Sequence, residues 1–285
     1  MISAHFFFLA LILGVLYIAQ VAPKAELPET TFFVASDIQG DLAFRRALAN
    51  MHDTDPKAKT FVINGDITGN GLDTVPNRLQ QIYWAIGNHD LYAAKIAGWQ
   101  KFPNGVKEET MFRRFKEFDN TSEVYYERVH DVYPFLFLGT EKYMHYHDPE
   151  LYDEVFMSAD QLKWLEKRLQ LHEGSGRPVF VYSHHVLKDT ISGTDALQYG
   201  ADYIQAKELL EILGKYTRVI LFTGHTHWDL NLSDWTVRKS VKGGSTTGFQ
   251  YWIYRENCGY AEEIVKKRGD TKRQKSFMKY TRIVL

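Results

Sequence analysis

The seven residues Thr60-Phe-Val-Ile-Asn-Gly-Asp66 contain the pattern that decides the fold. The first four are apolar or β-branched and predict a short strand, and the last three predict a turn that ends in a carboxylate. The same order occurs on both sides along the chain, where Thr31 to Ser36 precedes Asp37 and Ile82 to Ile86 precedes Asn88. Strand, crossover and strand in repetition predict an α/β sheet with polar residues at the carboxyl ends of its strands.

The rest of the chain continues this alternation of elements. Apolar periodicity and capping signals predict helices at Leu42 to Asn50, Lys107 to Phe118, Ser158 to about Leu171, and Asp202 to Leu213. Short apolar runs predict strands at Glu123 to Val129, Val132 to Leu138, Pro178 to Tyr182, Arg218 to Phe222, Trp235 to Ser240 and Phe249 to Tyr254. No second domain boundary is evident, so residues 31–285 are interpreted as one domain.

Composition excludes several classes of protein. Of 285 residues, 45% are hydrophobic and 24% are charged, which is typical of a globular chain and not of a disordered one. The formal net charge of -1 does not favour a general nucleic-acid or membrane-surface binder. Cys258 is the one cysteine, so an internal disulfide and a CxxC zinc site are both excluded. A metal ion here must therefore be held by Asp, Asn, Gln and His side chains.

The N-terminal segment differs from the rest. Ile2 to Ala22 contains no Asp, Glu, Lys or Arg, and its length is sufficient to cross a bilayer as a helix. Met1 to His5 lacks the basic residues of a cleaved signal peptide, which favours an uncleaved anchor over a cleaved signal. Residues 1–22 are thus predicted to be an anchor or signal and residues 23–30 a linker, with the remaining chain membrane-anchored or secreted and outside the cytoplasm.

Polar residues follow five of the predicted strands. Because the carboxyl ends of strands in an α/β sheet meet along one edge, we expect these side chains to converge. They offer oxygen and imidazole ligands, which is the inventory that two neighbouring divalent ions need, with one carboxylate bridging them. The residues are Asp37 with Gln39, Asp66, Asn88 with His89, His184, and His225 with His227.

The ordered set of these strand ends resembles the calcineurin-like metallophosphoesterases. The matching segments are Asp37-Ile38-Gln39, Gly65-Asp66, Gly87 to Asp90, His184 after a strand, and Gly224 to His227. The resemblance runs from about residue 31 to beyond residue 250. It implies two packed mixed β-sheets flanked by helices, in four layers. It also implies two divalent metal ions, drawn from Mn, Fe, Zn or Mg.

The resemblance implies a ligand set for each ion. Asp37, Gln39, Asp66 and His227 would hold one ion, and Asp66, Asn88, His184 and His225 would hold the other, so that Asp66 bridges the two. The two ions would turn a bridging water into hydroxide and neutralise the phosphate oxygens. His89 would contact the phosphate and protonate the leaving group, with Asp90 a candidate to orient it.

One residue departs from the family pattern. The first motif usually reads D-x-H, but position 39 is Gln, whose amide oxygen binds a metal ion more weakly than imidazole does. Three outcomes are open for Gln39: direct ligation, ligation through a water molecule, or no ligation. We expect a looser first metal position or a preference for a harder ion. This departure also supports an alternative hypothesis, a catalytically weakened metal-containing module that binds a phosphorylated ligand.

The expected substrate is a small phosphomonoester or phosphodiester, and no stable nucleic-acid partner is expected. His185, next to His184, is predicted either to contact the metal ligands from the side away from the ions or to face the substrate. The N-terminal helix is expected to associate with a membrane.

Overall fold

The computed structural model describes residues 29–38, 48–49, 51–53, 55–56, 58, 60–67, 82–92, 108–187 and 203–227, with the backbone of 236–241, 249–255 and 280–284. By backbone contacts, Thr30 to Val284 form one unit. The apolar segment Ile2 to Ala22, Gln39 and most of the helix predicted at Leu42 to Asn50 lie outside the described residues. In the part of the chain that is described, none of the helices has the length and apolar character needed to cross a bilayer.

Ten strands and five helices have described bounds, and the described residues 48–49 and 51–53 are also helical, the latter beyond the predicted end at Asn50. The strands are β1 (Thr31–Ala35), β2 (Thr60–Asn64), β3 (Ile82–Ala85), β4 (Tyr126–His130), β5 (Tyr133–Phe137), β6 (Val179–Tyr182), β7 (Val219–Thr223), β8 (Thr236–Val241), β9 (Phe249–Arg255) and β10 (Tyr280–Val284). The helices are α1 (Asn88–Leu91), α2 (Glu108–Asp119), α3 (Met144–His147), α4 (Ala159–Glu173) and α5 (Ala206–Gly214).

The strands form two mixed sheets. The first sheet has the order β10-β1-β2-β3, in which β1, β2 and β3 are parallel and β10 runs antiparallel to β1. The second has the order β4-β5-β6-β7-β9-β8, in which β5, β6, β7 and β9 are parallel and the two edge strands are antiparallel to their neighbours. The predicted fold class, two packed mixed sheets flanked by helices, is confirmed.

Successive side chains in the strands of the second sheet point to opposite faces, and a separate hydrophobic core lies on each face. Aromatic residues such as Phe135 and Phe180 face the first sheet, where both rings pack against Phe32 with centroids 4.7 and 5.1 Å away. The residues between them, such as Leu136 and Val181, belong to the other core with the leucines of α4 and α5. The period of two thus places aromatic rings between the sheets and aliphatic side chains under the helices.

The helices cover the outer faces. In α2, Met111, Phe112 and Phe115 are buried, and the Phe115 ring lies 4.8 Å from that of Trp84 in β3. Helix α4 is capped by Ser158, whose hydroxyl accepts the backbone N–H of Gln161, as the capping signal predicted.

Some elements differ from the sequence predictions. Helix α5 begins at Ala206, four residues after the predicted start at Asp202. Helices α1 and α3 are single turns without a readable periodicity, and β10 was not predicted. Strand β10 exists because it pairs with β1, which lies more than 240 residues away in sequence, and such pairing leaves no local pattern.

We predict that Phe32→Ala destabilises the domain by about 3–5 kcal/mol, because the variant removes a fully buried ring from between the two sheets. Chemical denaturation measures the free energy of unfolding. The control is Leu171→Ala at a helix position that is 63% exposed, which is expected to change stability by less than about 0.5 kcal/mol. Equal effects of the two variants would show that Phe32 does not stabilise the packing of the sheets.

Candidate metal centre

The carboxyl ends of five strands meet at one edge of the two sheets. Asp37, Asp66 and Asn88 follow β1, β2 and β3 of the first sheet, whereas His184 and His225 follow β6 and β7 of the second. Backbone hydrogen bonds tie these loops together: the N–H of Asp37 donates to the carbonyl of Gly65 at 3.1 Å, and that of Gly224 to the carbonyl of His184 at 2.7 Å. The centre is therefore assembled across both sheets.

Four of the predicted ligands have left-handed backbone conformations. The φ angles are 56° at Asp37, 53° at Asp66, 69° at His225 and 48° at His227. Such angles are uncommon for residues other than glycine and cost of order 1–3 kcal/mol each. Their concentration here turns the side chains back over the strand ends, which is the geometry of a functional site.

The donor atoms form two groups that share one residue. Asp66, His184 and His225 each place a donor atom within 4.8 Å of the others, and so do Asp37, Asp66 and His227. Asp66 belongs to both groups and is 1% exposed. The structure thus brings together Asp37, Asp66, His184, His225 and His227, with the shared carboxylate in the middle.

Asn88 completes the first of these groups. Its Oδ1 lies 3.1 Å from His184 Nε2 and 3.1 Å from His225 Nδ1. Gln39 is outside the described residues, so its predicted ligation stays a prediction.

A backbone carbonyl orients the imidazole of the predicted ligand His184. Its Nδ1 lies 2.8 Å from the carbonyl oxygen of Asn64, which can only accept, so Nδ1 carries the hydrogen. Its Nε2 faces Asp66 Oδ2 at 3.2 Å, and a metal ion bound there would replace the hydrogen on this nitrogen. A backbone carbonyl that fixes the tautomer of a histidine is typical of metal-ligating imidazole.

The electrostatics of the cluster favour a cation. Burial raises the pKa of Asp66, but His184, His89 and His225 outweigh burial and hold the pKa well below its usual range. Burial lowers the pKa of His184, whereas Asp66 and Asp37 outweigh it and raise the pKa to about 10. The carboxylates therefore attract positive charge to the point where oxygen and nitrogen donors converge, and this donor set fits a divalent metal ion.

The surroundings of His225 and His227 shift their pKa values in opposite directions. Burial and the neighbouring His184 lower the pKa of His225 to about 4, so its imidazole is neutral and one of its two ring nitrogens has a lone pair that can bind a metal ion. The hydrogen bond between His227 Nε2 and Asp37 Oδ1, at 2.9 Å, raises the pKa of His227.

His89 lies at the edge of the cluster. Its backbone N–H donates to Asp66 Oδ1 at 2.9 Å, and its Nε2 is 3.9 Å from Asp66 Oδ2. The side chain is 29% exposed, close to the 34% of His227, whereas the side chains of Asp66 and His184 are buried. This imidazole therefore reaches both the donor cluster and solvent.

Asp90 is fully buried behind this turn. Its Oδ2 accepts the backbone N–H of Gly87 at 2.9 Å and that of Asp66 at 3.0 Å. These bonds support a role for Asp90 in holding the two ligand loops together. Its proposed role in orienting the His89 ring stays a prediction.

His185 is 3% exposed and packs against the ligand His225, with ring centroids 4.4 Å apart. Burial together with the neighbouring His225 and His184 lowers its pKa well below the usual range. Of the two predicted placements, this is the one behind the ligands.

Three residues behind the ligands were not found from the sequence. Tyr92 and Asp153 contact the Asn88 amide, and the hydroxyl of Tyr203 lies 2.7 Å from the carbonyl of His185 and 2.6 Å from Ser183 Oγ. Asp153 and Tyr203 do not follow predicted strands, so strand-end reasoning gives no signal for them. Only Tyr92, four residues after Asn88, was near a recognised motif.

The fold and the donor cluster define an α/β protein with a centre for divalent metal ions at the edge shared by two sheets. A family model described as calcineurin-like phosphoesterase matches residues 30–229. The chain belongs to the calcineurin-like phosphoesterase family, and the resemblance inferred from its motifs is confirmed. The match includes every predicted site residue from Asp37 to His227.

Solved structures with a similar fold share little sequence with this chain. A dimetal phosphatase from Danio rerio is 15% identical with a TM-score of 0.49, and the alignment covers 80% of this chain and 87% of that one. PhoD is 14% identical with a TM-score of 0.44, covering 82% and 58%. GAP50, the anchor in the inner membrane complex of Plasmodium, is 9% identical with a TM-score of 0.41, covering 79% and 71%. A comparison with curated proteins finds no match.

Glycines allow the ligand loops to approach each other closely. A Cβ atom at Gly224 would lie 1.9 Å from Ser36 Oγ, and one at Gly87 would lie 2.2 Å from Asp66 Oδ1. Both distances are far below van der Waals contact, so the loops require hydrogen at these positions.

We predict that Gly87→Ala weakens metal binding, because the added methyl group must displace the shared carboxylate of Asp66. The φ of Gly87 is -107°, which alanine also adopts, so the effect is steric and not conformational. Calorimetric titration with Mn²⁺ measures the affinity.

The matched control is Gly174→Ala, where an added Cβ meets nothing within 4 Å and φ is -66°. It is expected to bind Mn²⁺ like the wild type. Unchanged affinity in Gly87→Ala would contradict the proposed close packing of this glycine on Asp66.

Proposed function

We propose that this protein is a metal-dependent hydrolase of small phosphate esters. The observation that carries the proposal is the position of Asp66, which contributes to both donor groups while its Oδ1 accepts the backbone N–H of His89. A shared carboxylate between two sets of ligands suits two neighbouring ions, and a partly exposed imidazole beside them suits acid catalysis. Membership of a phosphoesterase family supports the same reaction class.

Two sets of residues would hold the ions. Asp37, Asp66 and His227 form one set, to which Gln39 remains a predicted addition, and Asp66, Asn88, His184 and His225 form the other. Divalent ions bound there would supply Lewis acidity, which lowers the pKa of a bound water and neutralises the charge on the phosphate oxygens.

His89 is proposed to donate the proton that the leaving oxygen requires. Its backbone N–H is bonded to the shared carboxylate, which keeps the residue beside the centre. Its partial exposure leaves the ring accessible to a bound ester.

The apolar segment Ile2 to Ala22 supports a further proposal on location. Its composition suits a membrane anchor or an export signal, followed by a linker at 23–30 and by the phosphoesterase domain on the extracytoplasmic side. The substrate of the domain would then be a small phosphate ester present outside the cytoplasm.

The test of function is hydrolysis of p-nitrophenyl phosphate and bis-p-nitrophenyl phosphate by the full-length chain. The chain is first stripped of metal ions and then reloaded with Mn²⁺, Fe²⁺, Zn²⁺ or Mg²⁺ in turn. We expect turnover that depends on the added ion, and the preferred ester distinguishes a monoesterase from a diesterase. Two ions bound without turnover of either ester would favour the alternative, a binding module for a phosphorylated ligand.

We predict that His89→Ala retains metal ions but loses about 10²–10⁴-fold in turnover, because the variant removes the proton donor. Alanine keeps the backbone N–H that bonds Asp66, so the donor cluster is preserved. Steady-state kinetics and Mn²⁺ titration measure the two properties separately.

The contrasting variant is Asp66→Asn, which removes the shared negative charge and is expected to weaken both ions together. Full activity in His89→Ala would remove His89 from the acid role. Loss of only one ion in Asp66→Asn would show that Asp66 does not bridge.

A further inference from the structure

The amide of Asn88 has two chemically different sides, and only one of them can bind a cation. Its Oδ1 faces the imidazoles of His184 and His225 in the donor cluster. Its Nδ2 faces away from the cluster, 3.0 Å from Asp153 Oδ2 and 3.0 Å from the Tyr92 hydroxyl. The orientation of this amide therefore decides whether an oxygen or an NH₂ group meets the metal ion.

The three side chains form a closed set of hydrogen bonds. The Tyr92 hydroxyl donates its hydrogen to Asp153 Oδ2 at 2.5 Å and accepts one from Asn88 Nδ2 through a lone pair. The other hydrogen of Nδ2 goes to the carboxylate of Asp153. Both hydrogens of the amide are thus used on the side away from the cluster.

A flipped amide would be unfavourable on both sides. Asn88 Oδ1 would then face the carboxylate of Asp153, and two acceptors without a hydrogen between them repel each other. The NH₂ group would meanwhile point its hydrogens at the cation. Asn88 is 4% exposed, so water cannot readily supply the missing hydrogen bonds.

Asp153 is itself held in place by the fold. Two residues later, Val155 bridges to both Tyr143 and Tyr203, and its carbonyl accepts the N–H of Ile204 at 3.0 Å. The hydroxyl of Tyr203 in turn contacts the carbonyl of His185, next to the ligand His184. The segment from Asp153 to Val155 is thus linked both to Asn88 and to the loop that contains His184 and His185.

We propose that Asp153, together with the Tyr92 hydroxyl, is a positioning residue that orients the Asn88 amide so that Oδ1 ligates the second metal ion. Asp153 acts through Asn88 and does not itself contact the ion. The proposal rests on the two-ion centre of the proposed function. Partners of this kind typically change metal affinity by about 10–100-fold when they are replaced.

The test is Mn²⁺ titration by calorimetry on the full-length chain, for the wild type and for Asp153→Ala, Asn88→Ala and the double variant. We expect Asp153→Ala to lose about 10–100-fold in affinity for one of the two ions. The same loss in Asn88→Ala, with no further loss in the double variant, is the result expected if Asp153 acts through Asn88. Unchanged affinity in Asp153→Ala, or additive losses in the double variant, would overturn the proposal.

Two more variants separate positioning from general stability. Asp153→Asn keeps an oxygen that can accept from Asn88 Nδ2, so it is expected to bind the ion more tightly than Asp153→Ala does. Glu150→Ala, at an exposed position in the same loop, is expected to bind like the wild type. Equal losses in Asp153→Asn and Asp153→Ala, or a comparable loss in Glu150→Ala, would indicate a structural role alone and overturn the proposal.

If Asp153→Ala does not fold, as judged by circular dichroism, Tyr92→Phe replaces it as the single variant and in the double variant with Asn88→Ala. This variant removes the hydroxyl from the set but keeps the ring that packs on His89, whose centroid is 4.4 Å away. It is expected to weaken the same ion in the wild-type background and to have no effect in Asn88→Ala. No loss in the wild-type background would overturn the proposal.

The titration distinguishes failure of the proposed two-ion centre from failure of the proposed role of Asp153. A wild-type chain that does not bind two Mn²⁺ ions would refute the two-ion centre itself. A wild type with two bound ions and an unaffected Asp153→Ala would refute only the role of Asp153. Paramagnetic resonance of bound Mn²⁺ provides an independent readout, because spin coupling between two neighbouring ions disappears when one of them is lost.

Discussion

The buried carboxylate of Asp66 is the constraint on which the rest of this structure depends. An anion removed from water is costly unless positive charge and hydrogen-bond donors surround it. The structure supplies the backbone N–H of His89 at 2.9 Å and the imidazole of His184 at 3.2 Å, and Asp37 lies in the donor group beside it. Divalent ions, which the family implies, would satisfy the same demand more completely. The arrangement of the neighbouring loops follows from this need.

The packing of the two sheets makes such a centre possible. Among the candidate ligands that the structure describes, three follow strands of the first sheet and three follow strands of the second, so neither sheet alone contains either ion site. The layer of aromatic rings around Phe32, Phe135 and Phe180 holds the sheets together beneath that edge. Changes in this core would shift the two halves of the centre relative to each other, which couples stability to metal binding.

The residues that contact the predicted ligands set the positions and orientations of those ligands. Asp90 ties the loops of Gly87 and Asp66 together through their backbone N–H groups, and the Asn64 carbonyl fixes the tautomer of His184. The proposed role of Asp153 on Asn88 is of the same kind. At His184 and Asn88, a group that can only accept hydrogen bonds faces a side chain with two different sides, and so sets which atom of that side chain faces the donor cluster.

The sequence by itself determined nine of the ten described strands, their order along the chain and the residues that follow them. Strand β2 and Asp66 were readable because a short apolar run ended in a turn, and the same local signal identified Asn88, His184 and His225. These features were predictable because each depends on residues that are adjacent in the chain. The family followed from their order, which the match over residues 30–229 confirms.

Only the tertiary structure decided which of these side chains meet and which groups orient them. The hydrogen bond between His227 and Asp37 joins residues 190 apart, and that between Asn88 and Asp153 joins residues 65 apart. Strand β10 likewise depends on pairing with β1 at the other end of the domain. Contacts of this kind arise from the folding of distant segments against each other, so no local pattern of residue types records them.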